Sequence, residues 1–182
     1  MISHKLGFIN KNQLGFTLIE LMLAIAISGV ITGAVTTTIF QVVTGSLRTN
    51  NHMTMVRQVQ NAGYWVSHDV QMAQNVALAD ESVDDPDGTR FPLTLSWTEW
   101  GSNEVHQVVY SLLADNKFQR SHSINGTTEA SIIAEFIDPD PEKTKCEFTN
   151  GALTFTVTAT VGSGLQGQSE TRIYEIVPRP GS

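Results

Sequence analysis

GFTLIELMLAIAISGVITGAVTTTIFQVV, residues 15–43, is an apolar run with a single charged side chain, Glu20. From Phe16 to Val43 the run holds 28 residues, about 42 Å of helix at 1.5 Å per residue. A hydrocarbon core is about 30 Å thick, so the run predicts a membrane-spanning helix. An unpaired acid at the centre of such a span costs roughly 2.5–3.5 kcal/mol. Glu20 therefore asks for a cationic partner, and it is a functional residue by expectation.

Two basic side chains, Lys5 and Lys11, precede the run. By the positive-inside rule the leader stays in the cytoplasm and the C-terminal bulk lies outside, a single-pass topology. Gly15-Phe16-Thr17-Leu18-Ile19-Glu20, behind a short basic leader, resembles the processing site of the type IV prepilin and type II secretion pseudopilin superfamily. The resemblance implies that a prepilin peptidase cuts between Gly15 and Phe16 and that Phe16 becomes an N-methylated terminus. It also implies that Glu20 pairs with a neighbouring subunit's N-terminal ammonium as the filament forms. The implied partners are the peptidase, other pilin or pseudopilin subunits, an inner-membrane assembly platform, and the lipid bilayer before assembly. Gly29 and Gly33 form a small-xxx-small pair that lets helices approach closely. Many major pilins place a kinking proline in the second half of this segment, where Thr36-Thr37-Thr38 stands here.

Two other readings compete for these residues. A secretory signal peptide would use Ala24-Ile25-Ala26 as its cleavage site. That puts Glu20 inside the apolar region and leaves a mature chain starting on apolar Ile27. A plain single-span anchor would make Glu20 accidental.

Beyond Val43, Val56, Val59, Gly63, Val66, Val70, Ala73 and Ala77 recur at spacings of three and four, an apolar stripe through a polar stretch. No proline precedes Pro86, which predicts helix to about Ala79, with Thr44-Gly45-Ser46 its weakest point. Asp80 to Pro92 is acidic and turn-rich and ends the helix. A calcium loop at Asp85, Asp87 and Gly88 fits the EF-hand spacing poorly, which favours a solvated acidic loop. Asp138-Pro139-Asp140-Pro141-Glu142 reads as a turn.

The remainder predicts antiparallel sheet. Leu93, Leu95 and Trp97 alternate with polar residues, a strand follows the Gly101-Ser102-Asn103 turn over Val105 to Leu113, and another covers Thr171 to Val177. Leu153, Phe155, Val157, Ala159 and Val161 alternate with threonines behind Asn150-Gly151, a type I′ hairpin signal. That turn sets Phe148 opposite Leu153 and Cys146 opposite Phe155. The expected organisation is a leader over 1–15, a transmembrane and filament-core helix over 16–43, its amphipathic continuation over 44–79, and a β-rich domain over 80–182. The fold class is α+β and pilin-like: a long N-terminal helix packed on an antiparallel sheet, with Trp65 and Trp97 as core candidates.

The chain has 11 basic and 18 acidic side chains. Losing Lys5 and Lys11 with the leader leaves nine against 18, a balance that opposes nucleic-acid binding. Cys146 is the only cysteine, so no intrachain disulfide forms, and it reads as a small apolar strand residue. The five histidines are scattered in sequence, without a metal or nucleophile motif, so no enzyme activity, cofactor or metal is expected. His68 and Asp69 are expected on different helix faces, both exposed. Asn125-Gly126-Thr127 matches a glycosylation triplet that is common by chance. The size, the sheet-rich second half and the Asp69-containing helix resemble the J-type minor pseudopilins. The expected role is a minor pilin or pseudopilin subunit of a type IV pilus or a type II secretion pseudopilus. The alternatives are a membrane-anchored binding or adhesin module and, behind it, an anchored enzyme.

Overall fold

The computed structural model describes residues 15–79, 89–162 and 167–179. The expected leader before Gly15 and the acidic stretch 80–88, with its calcium-loop reading, lie outside the described residues. One helix, α1 (Leu18–Met72), is followed by β1 (Asn75–Ala77), β2 (Leu93–Thr98), β3 (Val105–Leu112), β4 (Phe118–Ile124), β5 (Thr127–Ala134), β6 (Lys145–Thr149), β7 (Ala152–Val161) and β8 (Gln168–Ile176). The fold is α+β and pilin-like, a long helix with antiparallel sheet, as the sequence predicts. The strands form two sheets, one of five strands in the order β1-β2-β3-β4-β5 and one of three in the order β6-β7-β8. The chain divides into two compact units, residues 1–45 and 46–182. Thr44, Gly45 and Ser46 are helical, so the expected weak point does not interrupt α1.

In the second unit the helix buries Met55, Val59, Ala62, Gly63, Val66, Asp69 and Val70. This is the predicted stripe, joined by Met55, Ala62 and Asp69. Met55 is fully buried at the head of the stripe while Val56 is only half-buried. The helix also ends at Met72, short of Ala79: the Ala73 N–H bonds the Asp69 carbonyl at 3.0 Å, and the Gln74 N–H then turns to the Ser96 carbonyl at 3.0 Å. Asn75–Ala77 pairs antiparallel with Thr94–Ser96. Half-buried Val76 and Leu78 alternate with their neighbours, so the period of two wins once an open sheet edge can receive the backbone.

At Gly63 the helix lies directly against Tyr174 of the three-stranded sheet. A Cβ there would run into the ring of Tyr174, whose hydroxyl donates to the Val59 carbonyl at 3.1 Å. Gly63→Ala should gain about 1 kcal/mol of helix propensity and lose more by displacing a hydrogen-bonded ring, since overpacking costs about 1–3 kcal/mol. A net loss in thermal stability is expected, and pairing the change with Tyr174→Ala should abolish the penalty. Equal losses with and without Tyr174 would refute the clash.

Both sheets close on the same side chains. Phe118 of β4 stacks on Phe155 of β7 at 5.7 Å and meets Phe91 edge-on at 5.2 Å. Around them lie Leu93, Leu95, Val108, Tyr110, Leu153 and Val157, all fully buried. Trp65 and Trp97 are only partly buried against this core. The Asn150-Gly151 hairpin has the predicted register, Phe148 opposite Leu153 and Cys146 opposite Phe155, with φ of 55° and 79° at the two turn residues. Cys146 is buried, which pushes its thiol pKa up and leaves it inert as expected. The Asp138–Glu142 segment is a turn held by side chains, with the Asp140 N–H bonded to Asp138 Oδ1 and the Glu142 N–H to Asp140 Oδ1.

Candidate functional site

The first unit carries the predicted processing and assembly residues. Leu18 begins the helix and the Thr17 carbonyl accepts the Leu21 N–H at 3.2 Å, so Thr17 is the N-cap. Glu20 Oε2 accepts both the Thr17 N–H and the Thr17 hydroxyl at 2.9 Å, and Thr17 Oγ1 faces the Glu20 N–H at 3.4 Å. This is a capping box, and it fixes Glu20 in the first helical turn, where a carboxylate also suits the helix dipole. Thr17 is not among the residues expected from sequence, although Thr-x-x-Glu ahead of an apolar run is the signature of this cap.

Phe16 is 92% exposed, and every described side chain up to Val42 is exposed. The segment is long and apolar enough to cross a membrane. Added Cβ atoms at Gly15, Gly29 and Gly33 would meet nothing within 4 Å, so both helix glycines lie open to a neighbouring helix. The hydroxyls of Thr32, Thr36, Thr37 and Thr38 bond carbonyls one turn back at 2.6–2.9 Å. Those bonds satisfy the hydroxyls internally, so the threonines suit an apolar environment without a proline's break.

The second unit holds a polar cluster where the sequence suggested exposed residues. Asp69 is 1% exposed, on the apolar stripe. Arg120 Nε donates to its Oδ2 at 2.7 Å and Nη2 to its Oδ1 at 3.1 Å, while the Tyr110 hydroxyl donates to Oδ2. Tyr110 and Arg120 are direct cross-strand partners, so one register delivers both groups to the same carboxylate. Burial alone would raise the Asp69 pKa, but the bonds from Arg120 and Tyr110 outweigh it and hold it below the usual carboxylate value. Burial, reinforced by the Asp69 charge, pushes the Tyr110 hydroxyl up. Arg120 also lies over the Trp65 ring at 4.9 Å.

His68 Nδ1 is 3.2 Å from Asp69 Oδ1, which corrects the expectation that these two side chains point apart. The signal for Asp69 was present: Val66, Asp69, Val70 and Ala73 lie on one helix face at spacings of three, four and seven. Two of the histidines, His106 and His122, meet in space. His106 pairs directly opposite Trp97 and lies diagonal to His122, whose own partner is Val108. The Trp97 and His106 rings stack at 5.1 Å, and His106 Nδ1 is 3.1 Å from His122 Nε2. Burial, then the charge of Arg120, lowers the His122 pKa and keeps this ring neutral. Trp97, Trp100, Arg120 and His122 line a groove of about 360 Å³ beside Asp69.

An exposed, membrane-length apolar helix segment with a capped acid in its first turn, in a chain whose second unit packs helix on antiparallel sheet, fits a pilin-like protein with a membrane anchor. Residues 10–36 match the family model for the prokaryotic N-terminal methylation motif. That match, over the N-terminal segment alone, supports the type IV pilin and pseudopilin family. No curated protein and no solved structure matches the chain.

Proposed function

We propose that this chain is a minor pilin or minor pseudopilin, a structural subunit cut between Gly15 and Phe16, methylated at Phe16 and drawn from the inner membrane into a filament. The methylation motif over residues 10–36 carries this reading. Its processing junction precedes a 28-residue run, Phe16 to Val43, in which Glu20 is the single charged side chain. Before assembly the apolar segment crosses the bilayer, with the leader in the cytoplasm and the β-rich domain outside. During assembly Glu20 meets a neighbouring subunit's N-terminal ammonium. Only Oε2 is engaged in the capping box, and a carboxylate oxygen pair has about four acceptor positions, so capping and pairing are compatible. Gly29 and Gly33 let the apolar helices approach in the filament core. The partners are a prepilin peptidase, other pilin-type subunits and an inner-membrane assembly platform.

Mass spectrometry of the membrane-extracted protein tests the processing step. The expected mature chain starts at Phe16 and carries a single added methyl group. A start at Ile27, or an intact Met1, would exclude it.

A further inference from the structure

We propose that the tip of the β2–β3 hairpin binds a divalent first-row transition ion of the zinc class, with His106, Glu99 and Glu104 as its ligands. Hairpin geometry brings these residues together. The last strand pair is Thr98 with Val105, and the Glu99 N–H then bonds the Glu104 carbonyl at 2.9 Å while the Asn103 N–H bonds the Glu99 carbonyl at 3.2 Å. This tight closure draws both carboxylates toward the ring of His106. One ligand atom from each of the three residues lies within 4.8 Å of the others, and His106 Nε2 is 3.7 Å from Glu99 Oε2. Bonds of about 2.0–2.2 Å to a tetrahedral ion place neighbouring ligand atoms about 3.4 Å apart, so small side-chain adjustments suffice.

The buried nitrogen of His106 points to a ligand independently of the carboxylates. Its side chain is 12% exposed, and Nε2 is buried without a hydrogen-bond partner among the described residues. Such an orphan costs free energy unless something coordinates it. The other nitrogen already has a partner, His122 Nε2 at 3.1 Å; in the tautomer in which His106 Nδ1–H is the donor, Nε2 carries the lone pair and faces Glu99. Metal-bound histidines characteristically donate their second nitrogen to an acceptor in this way, which makes His122 a positioning residue. Stacking on Trp97, only 4° from parallel, fixes the ring plane. Ser102 Oγ donates to Glu99 Oε2 at 3.0 Å and holds that carboxylate in the same direction. An imidazole nitrogen among the ligands favours the zinc class over calcium or magnesium, which take oxygen. Two carboxylates and one imidazole leave a fourth position for water or for a side chain of another subunit.

Zinc chloride titrated into the untagged full-length chain in detergent tests the site by calorimetry and by Trp97 fluorescence. The expected result is one zinc per chain with a change in tryptophan emission. His122→Ala should weaken binding about 10- to 100-fold, and Glu104→Gln and His106→Ala at least as much. His122→Gln, which keeps an acceptor, should restore most of the affinity, whereas a merely structural loss would not be rescued. His52→Ala should leave binding unchanged. Should His106→Ala fail to fold, Glu99→Gln and Glu104→Gln at the hairpin tip decide the matter. Unaltered zinc affinity in both glutamine variants would overturn the proposal, as would binding of calcium in preference to zinc. These outcomes do not depend on the processing of the N-terminus.

Discussion

Asp69→Ala should destabilise the β-rich unit by about 3–5 kcal/mol, the range for breaking a buried ion pair from one side. The Arg120 guanidinium, 13% exposed, would lose both charge-assisted bonds, and the Tyr110 hydroxyl would lose its acceptor. Domains of this kind hold about 5–15 kcal/mol in total, so the loss is a large share of the whole. Urea unfolding followed by near-ultraviolet circular dichroism measures it. Removing both charges is a different experiment. Asp69→Leu with Arg120→Met should recover much of the stability, because the penalty comes from stranding one partner and not from missing attraction. A loss below about 1 kcal/mol in Asp69→Ala would place the pair with ordinary surface ion pairs.

The same carboxylate should set part of the acid limit of the fold. Its folded pKa is depressed, so its contribution is fully present above the unfolded value of about 3.9 and disappears as pH falls through the folded value. Asp69→Asn should therefore lose stability at neutral pH and show a flatter dependence below about pH 4. Some dependence should persist, because Asp138 is also held low: its partial burial is outweighed by bonds from Lys143, the Asp140 N–H and Thr160.

These groups also show where the sequence was readable. The Asn150-Gly151 hairpin was legible to the residue because turn chemistry and apolar alternation are both local and both point to one register. Asn125-Gly126 carries the same signal, with φ of 48° and 89°, and joins β4 to β5. In sequence it reads only as a glycosylation triplet, because its flanks, Arg120 to Ile124 and Thr127 to Ser131, are too polar to announce strands. Those strands form by extending an existing sheet, which is tertiary information. Asp69 was misjudged for a related reason: a charge on an apolar stripe makes sense only once Tyr110 and Arg120, 41 and 51 residues away, face it. The division of the strands into two sheets was hidden likewise, since Phe118 and Phe155 meet across sheets with no local mark.

Glu20 carries the largest expected functional effect, and its capping role dictates how to test it. Glu20→Ala removes both the charge and the cap, so lost assembly could reflect a frayed helix start, worth about 1 kcal/mol. Glu20→Gln separates the two, because glutamine also serves in a capping box but cannot neutralise an ammonium. Leaving that cation unpaired in an apolar helix bundle costs roughly 2.5–3.5 kcal/mol if the bundle interior resembles a bilayer centre. At 1.4 kcal/mol per tenfold, incorporation of Glu20→Gln should fall about a hundredfold. Thr17→Ala makes the converse change: it removes the hydroxyl from the cap but leaves the charge, and should incorporate nearly normally. Immunoblots of sheared filaments against membrane fractions report the ratio, with mass spectrometry showing that Phe16 is still exposed by cleavage. If Glu20→Gln assembles like the unaltered chain while Thr17→Ala and Glu20→Ala fail, the carboxylate acts by starting the helix. The reverse pattern requires a cation, and since the described N-terminal segment has no basic side chain between Gly15 and Leu47, that cation is an N-terminal ammonium, either the chain's own at Phe16 or a neighbouring subunit's.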